Sequence, residues 1–312
     1  MRILIALAAL LLVPSLSLAQ TEKVVEELER KLATIRYVQG LQDKETGAFK
    51  ASADAKGTSL RATSAAVRAL KYQNGKPAIK AVPNAARTAG FVLSCFEPKT
   101  GGFADSPGGK PDVALTAVGV MAAMELEIPK DKFAKAMDYL KENAKTFEDV
   151  RIGAAAVEAW GVKDCPFKLE EWHCVATDFA RPFTNAPIQD PERARELASF
   201  HAFMFRLNPG TESTPAFRKD LATPIIDGQR ADGGWGPKDV KTSDLETTYR
   251  VMRALMLLEE KPKDVAKLRE FIAKCRNKDG GYGVKPGEAS SASGVYFATI
   301  IAKWLDDMEK KY

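Results

Sequence analysis

Apolar residues recur at three- and four-residue intervals through nearly all of the chain, in stretches broken by short polar or glycine-containing segments. The stripe Val265, Leu268, Phe271, Ile272 and Cys275 is typical: it puts one greasy face on a helix. β-Branched residues follow the same helical spacing and do not alternate, so the pattern predicts an all-α protein. Six successive helix pairs can be laid out. They run from Lys23 to Gly40 and Thr58 to Lys71, from Pro83 to Cys95 and Pro111 to Leu126, and from Asp131 to Ala144 and Phe147 to Trp160. The next three run from Leu169 to Phe179 and Pro191 to Leu207, from Thr214 to Asp227 and Ser243 to Glu259, and from Pro262 to Arg276 and Ser290 to Asp307. Asp190-Pro191 offers a capping carboxylate before a proline at the first helical position. Ser243-Asp244-Leu245-Glu246 reads as a capping box, with Ser243 at the cap.

The two helices of a pair differ in character. Second helices are rich in small residues (Ala62, Ser64, Ala65, Ala66; Ala114, Ala117, Gly119, Ala122, Ala123; Gly153 to Ala156), whereas first helices carry more charge (Lys132, Lys135, Lys141, Glu142). Small residues permit close packing, so the second helices are expected inside and the first outside. Between them recurs a glycine-aromatic signature: Gly47-Ala48-Phe49, Gly101-Gly102-Phe103, Gly233-Gly234-Trp235 and Gly280-Gly281-Tyr282. The copies lie 54, 132 and 47 residues apart, and the long interval holds three units of 44, two of them degenerate. A helix–glycine loop–helix unit of that length marks a repeat architecture whose units cannot bury their apolar faces alone. The expectation is an (α/α)6 toroid from residue 20 to residue 312, with the glycine loops at one end and their aromatic side chains wedged against neighbouring units.

Gln229-x-x-x-Gly233-x-Trp235 resembles the Gln-Trp repeat of squalene cyclases, and Cys275 to Tyr282 resembles the repeat of protein prenyltransferase β-subunits. The resemblance extends over most of the chain and implies an α/α toroid with a central cavity for an isoprenoid. In the prenyltransferases a stretch Arg-x-x-Lys-x-x-Asp-x-Cys supplies a basic pair for a lipid diphosphate and two zinc ligands, and a histidine of the next repeat completes the zinc site. Lys238 and Lys241 match the basic pair and Asp244 the aspartate, but Glu246 stands at the cysteine position and Gly294 near the histidine position. A catalytic zinc needs three protein ligands and an open position. One carboxylate matches, so no zinc and no other cofactor is expected. The Asp-x-Asp-Asp motif of the cyclases is missing, and so is the thioester sequence of complement-type toroids.

Composition adds location and surface. Arg2, the apolar run Ile3 to Val13 and Ser17-Leu18-Ala19 read as a secretory signal over residues 1–19, cleaved before Gln20. The competing reading, an uncleaved anchor, is opposed by Pro14 and by the short apolar run. The protein is therefore expected to be exported, periplasmic or secreted, with no membrane span after cleavage. The net charge of +5 comes from interspersed residues of both signs without a long basic run, which argues against nucleic acid as a partner. Of four cysteines, Cys95 and Cys275 end outer helices and look like core thiols, while Cys165 and Cys174 are close enough to form a local disulfide.

Few residues are left to carry chemistry. His173 and His201, with Cys165 and Cys174 nearby, would make a Cys/His metal cluster, although their spacing matches no zinc pattern. Lys238, Lys241 and Arg250 flank the start of an inner helix, together with Asp244, Glu246 and Tyr249, and form the candidate anion site. Tyr249, Tyr296, Phe203 and Phe205 fall on inner helices, where they either line a cavity or fill the core. Two classes of function follow. The first is a non-catalytic binding or scaffold protein that takes a peptide, lipid or glycan into its central funnel. The second is an enzyme, either a divergent prenyltransferase-like transferase or a polysaccharide-acting toroid.

Overall fold

The computed structural model describes residues 18–184, 191–208 and 213–311. Among the described residues, twelve principal helices alternate between two layers. The outer ones are α1 (Leu18–Gly40), α3 (Ala85–Ser94), α5 (Lys135–Asn143), α7 (Glu170–Thr184), α9 (Pro215–Asp227) and α11 (Val265–Lys274). The inner ones are α2 (Leu60–Asn74), α4 (Val113–Glu125), α6 (Phe147–Trp160), α8 (Ala194–Leu207), α10 (Leu245–Leu258) and α12 (Ala292–Lys311). Each inner helix packs on the next, and α12 packs back on α2, so the ring is closed. Among the described residues there are isolated bridges but no strands. The α/α toroid expected from the periodicity is the observed fold. Of the expected leader, only the last two positions fall among the described residues, as the first residues of α1.

Small residues on the inner helices are sockets for aromatic rings. A Cβ on Gly119 would stand 2.3 Å from the Phe103 ring, and one on Gly153 would stand 2.6 Å from Trp172. Phe49, Phe103 and Trp235 are fully buried, and the backbone N–H of each donates to an inner-helix threonine, Thr63, Thr116 or Thr248, at 3.0–3.1 Å. The first glycine of each signature has φ between +75° and +93°, a region that favours glycine. It also lies flat against the outer helix of the following unit. An added Cβ on Gly47, Gly101 or Gly233 would approach the backbone of Thr88, Lys135 or Lys267 to 2.2–2.7 Å. For Gly280, the following unit is the first one.

Inner helices start on good caps: Ser59, Asp112, Thr146 and Asp244 each accept from a backbone N–H three residues on. The capping box expected on Ser243 is not formed. Asp244 is the cap of α10, because its carboxylate reaches the Thr247 N–H at 2.7 Å, while the Ser243 hydroxyl donates to Asp232 in the preceding loop at 2.8 Å. Glu246 is thereby released from capping. The box occurs instead at Thr146 and Asp149, in one of the degenerate units. Asp190 lies outside the described residues, and Pro191 opens a 3-10 turn, Pro191–Arg193, ahead of α8.

Candidate functional site

The ring encloses a cavity of about 540 Å³ to which every inner helix contributes. Its walls mix apolar surface, including Val118, Met121, Ile152 and Phe297, with six arginines: Arg61, Arg68, Arg151, Arg206, Arg250 and Arg253. Helices of a hairpin repeat run in alternate directions, so all inner helices start at one end of the ring. Position along an inner helix therefore measures depth, at about 1.5 Å per residue.

Near the helix starts lie Arg61, Arg151 and Arg250. Arg250 pairs with Glu148 at 3.1 Å and Glu246 at 2.9 Å, and Arg151 pairs with Glu148 at 2.8 Å. Further along are Arg68, Arg206 and Arg253. Arg206 and Arg253 share a single carboxylate, Glu158. Arg206 approaches it through Nε at 3.3 Å, an ion pair without hydrogen-bond geometry. Arg68 donates through Nη1 to the Tyr296 hydroxyl at 3.2 Å, and Tyr296 donates to the Tyr249 hydroxyl at 3.0 Å. The Nε atoms of Arg68 and Arg253 and the hydroxyl of Ser199 are buried without a hydrogen-bond partner in the protein. Below Arg68, Lys71 and Glu125 pair with each other at 2.6 Å.

The crowding of cations perturbs the titratable groups. Burial, joined by repulsion from Arg250 and Arg206, pushes the Arg151 guanidinium down. Burial would raise Glu148, but Arg151, Arg250 and Arg195 hold it below the usual carboxylate range. Burial would also raise the Tyr249 phenol; the positive charges of Arg206, Arg68 and Arg253 and the hydrogen bond from Tyr296 overcome it and bring the phenol to about 8. Tyr296 moves well above the ordinary range, chiefly through burial. Of the two coupled hydroxyls, Tyr249 ionises first.

The residues singled out from sequence divide between two places. Glu246, Tyr249 and Arg250 line the cavity, and Tyr296 does as well. Asp244 is buried at the start of α10 and engaged in capping. Lys238 and Lys241 are exposed on the preceding loop and are not among the residues lining the cavity. Phe203 belongs to the core beside Phe147, and Phe205 faces a separate groove with Leu257 and Glu259. Arg61, Arg68, Arg151, Arg206 and Arg253 escape a motif-based reading. The signal that marks them is a long cationic side chain on a stripe of small residues, as Arg61 and Arg68 stand around Ser64 and Ala65.

The residues at the zinc positions of the prenyltransferases do not fit a zinc centre. A Cβ on Gly294 would lie 2.1 Å from the Tyr282 carbonyl oxygen, so this backbone admits no side chain there, and Glu246 is held by Arg250. The histidines do not form a cluster either. His173 Nδ1 faces the Leu169 carbonyl at 2.8 Å and Nε2 faces Asn208 at 3.2 Å, while His201 is buried on α8. Among the described residues no group of three or more His, Cys, Asp or Glu is placed to hold a metal. The local disulfide expected between Cys165 and Cys174 is also absent, since all four cysteines are free. α7 turns Trp172 into the core, which leaves Cys174 on the exposed face, while Cys165 packs against the core from the preceding turn.

Comparison with known proteins gives a consistent picture. The model of the prenyltransferase alpha-alpha toroid domain matches residues 77–140 and 187–311. A crystal structure of a protein from Actinoplanes superposes with a TM-score of 0.61 over 91% of this chain and 99% of that one, at 15% identity, a likeness of fold alone. No curated protein matches the sequence. Among the described residues, no helix is long and apolar enough to cross a membrane.

Proposed function

This chain belongs to the family of the prenyltransferase α/α toroid domain, and within it we propose an exported binding protein whose central funnel takes an anionic ligand. One observation carries the reading: six arginines line one cavity, and the carboxylates that pair with them are Glu148, Glu158 and Glu246. Holding like charges together away from water is costly. An anion that binds among them recovers part of that cost, with charge-assisted hydrogen bonds worth about 1.5–3 kcal/mol each. Export rests on the leader-like start of the sequence, and secretion from an expressing cell with cleavage before Gln20 is its check.

The test is calorimetric titration of the mature protein with an acidic peptide, an acidic oligosaccharide and an alkyl phosphate at fixed ionic strength. Binding of at least one, weakened about tenfold or more in an Arg151→Met/Arg250→Met double variant or an Arg68→Met variant, supports the reading. Binding that neither variant alters, or no binding, contradicts it.

Tyr249 favours a second reading. A phenol near 8 among three arginines is poised to exchange a proton at neutral pH, so an enzyme acting on an acidic substrate would have its acid-base group there. Turnover of an acidic oligosaccharide that disappears in Tyr249→Phe is the outcome that distinguishes this from binding alone.

A further inference from the structure

The cavity is lined in belts about one helical turn apart. Counted from the first residue of each inner helix, the lining side chains stand at the second position (Arg61, Glu246, Ser293), at the fifth and sixth, and at the ninth (Arg68, Met121, Ala155, Ala202, Arg253), with Arg206 alone at the thirteenth. The helices share one register: Thr63, Thr116 and Thr248, which accept from the signature-loop N–H groups, are each at the fourth position. The middle belt, at the fifth and sixth positions, differs around its circumference. On α4 and α6 it presents Val118 and Ile152, and across the ring, on α10 and α12, it presents Tyr249, Tyr296 and Phe297. The flanks are α2 and α8, three places apart in a ring of six and so opposed, and they present the hydroxyls of Ser64 and Ser199. Ser199, a residue 4% exposed, has no hydrogen-bond partner in the protein. Arg151 and Arg250 of the same belt are already held by Glu148 and Glu246. Arg68 is not held in this way. It follows Ser64 by one turn on the same face of α2, and its Nη1 meets the middle belt at the Tyr296 hydroxyl, 3.2 Å away. Its other edge, Nε and Nη2, makes no hydrogen bond among the described residues, and no carboxylate there pairs with it.

Resting on the reading of the funnel as an anion site, we propose that its ligand is an acidic glycan, one hexuronate ring of which sits in the middle belt with its carboxylate on the free edge of Arg68. That edge offers two parallel N–H donors, the match for the two oxygens of a flat carboxylate. Ser64 and Ser199, on opposed helices, can each donate and accept, as the hydroxyls around the rim of a sugar ring require. The C–H faces of the ring need apolar walls, and Phe297 on one side and Val118 and Ile152 on the other supply them. A hydrocarbon chain has no use for the two serines and would leave the Ser199 hydroxyl unpaired in a dry site. A neutral sugar would use the serines and leave the Arg68 edge empty. Carboxylate, hydroxyls and flat C–H faces occur together in one residue of an acidic polysaccharide.

The experiment titrates a galacturonate disaccharide, its methyl ester, octanoate and octyl phosphate into the wild-type protein and into Arg68→Met, Arg68→Lys, Ser199→Ala and Lys241→Met. Thermal melts establish that each variant is folded. The disaccharide is expected to bind at least about tenfold more tightly than its ester and than octanoate or octyl phosphate. Arg68→Met should cost it about tenfold and Ser199→Ala less, while Arg68→Lys should recover only part of the loss. Lys241→Met, on the exposed loop, should change the affinity less than about twofold. Equal binding of the disaccharide and its ester overturns the proposal, as does disaccharide binding that Arg68→Met and Ser199→Ala leave unchanged. Octanoate or octyl phosphate binding as tightly as the disaccharide, and weakened in Arg68→Met, also overturns it and leaves the broader anion reading standing. No binding of any anion removes both.

Discussion

The Thr34 hydroxyl on α1 donates to the Gly280 carbonyl at 2.8 Å and ties the last glycine loop to the first outer helix. A Cβ on Gly280 would lie 2.7 Å from the Ala33 carbonyl oxygen, so the contact that closes the ring repeats the one each earlier signature loop makes with its next unit. Gly280→Ala, at φ +87°, should therefore destabilise the protein by about 2 kcal/mol or more. Gly75→Ala, at φ +60° with nothing within 4 Å, should cost about 1 kcal/mol. Urea denaturation of the two variants makes the comparison, and equal losses would contradict the packing role.

The four thiols should react in a definite order. Cys174 is exposed, and Cys165 is partly covered. Cys95 and Cys275 are buried, and burial pushes both thiols up to about 12. Ellman's reagent on the native protein should titrate Cys174 first and leave Cys95 and Cys275 until unfolding, with mass spectrometry identifying each modified peptide.

His201 links stability to acid. Burial lowers its imidazole from 6.5 to about 4, so between those values the unfolded chain binds the proton and the folded one does not. Stability contributed by the neutral ring is intact above pH 6.5 and falls as pH drops toward 4, by about 3 kcal/mol in all. Denaturation curves of wild type and His201→Gln over this window should differ in slope; parallel curves would exclude His201 as the source.

Ligand affinity should depend on Tyr249. Facing its phenol are Arg68 and Tyr72 from α2, Arg206 from α8, Tyr296 from α12 and Arg253 from its own helix, with Glu158 of α6 paired to Arg206 and Arg253. Above about 8 the phenolate becomes an internal counter-ion and competes with a bound anion. Affinity for an alkyl phosphate should be highest near pH 7, where the phosphate carries its second charge and the phenol is still protonated, and should fall as pH rises through about 8. Tyr249→Phe should remove the fall, and a fall that persists in the variant would assign it elsewhere.

Much of the fold was legible because the repeat writes itself in local terms. Helical spacing, caps and glycines with a fixed backbone demand all lie within a few residues of one another. The Ser243 cap was misplaced because Ser243 and Asp244 both qualify by type, and the Asp232 carboxylate in the preceding loop decides between them. Of the site, Glu246, Tyr249 and Arg250 were readable beside a recognised motif. Arg68 and Arg206 were not, since each is one arginine on one helix until ring closure brings six inner faces together. Nothing local separates Arg68, lining the cavity, from exposed Lys241, because both are ordinary basic residues in their own segments.

Whether the cavity takes an anion is read from an anomalous diffraction map of crystals soaked in tungstate. Tungstate is a tetrahedral dianion that can be located by its own scattering. A peak inside the ring, among the arginines that line the cavity, is the predicted result. Tungstate found only on the outer surface, at Lys238 and Lys241 or elsewhere, with none in the cavity, would contradict it.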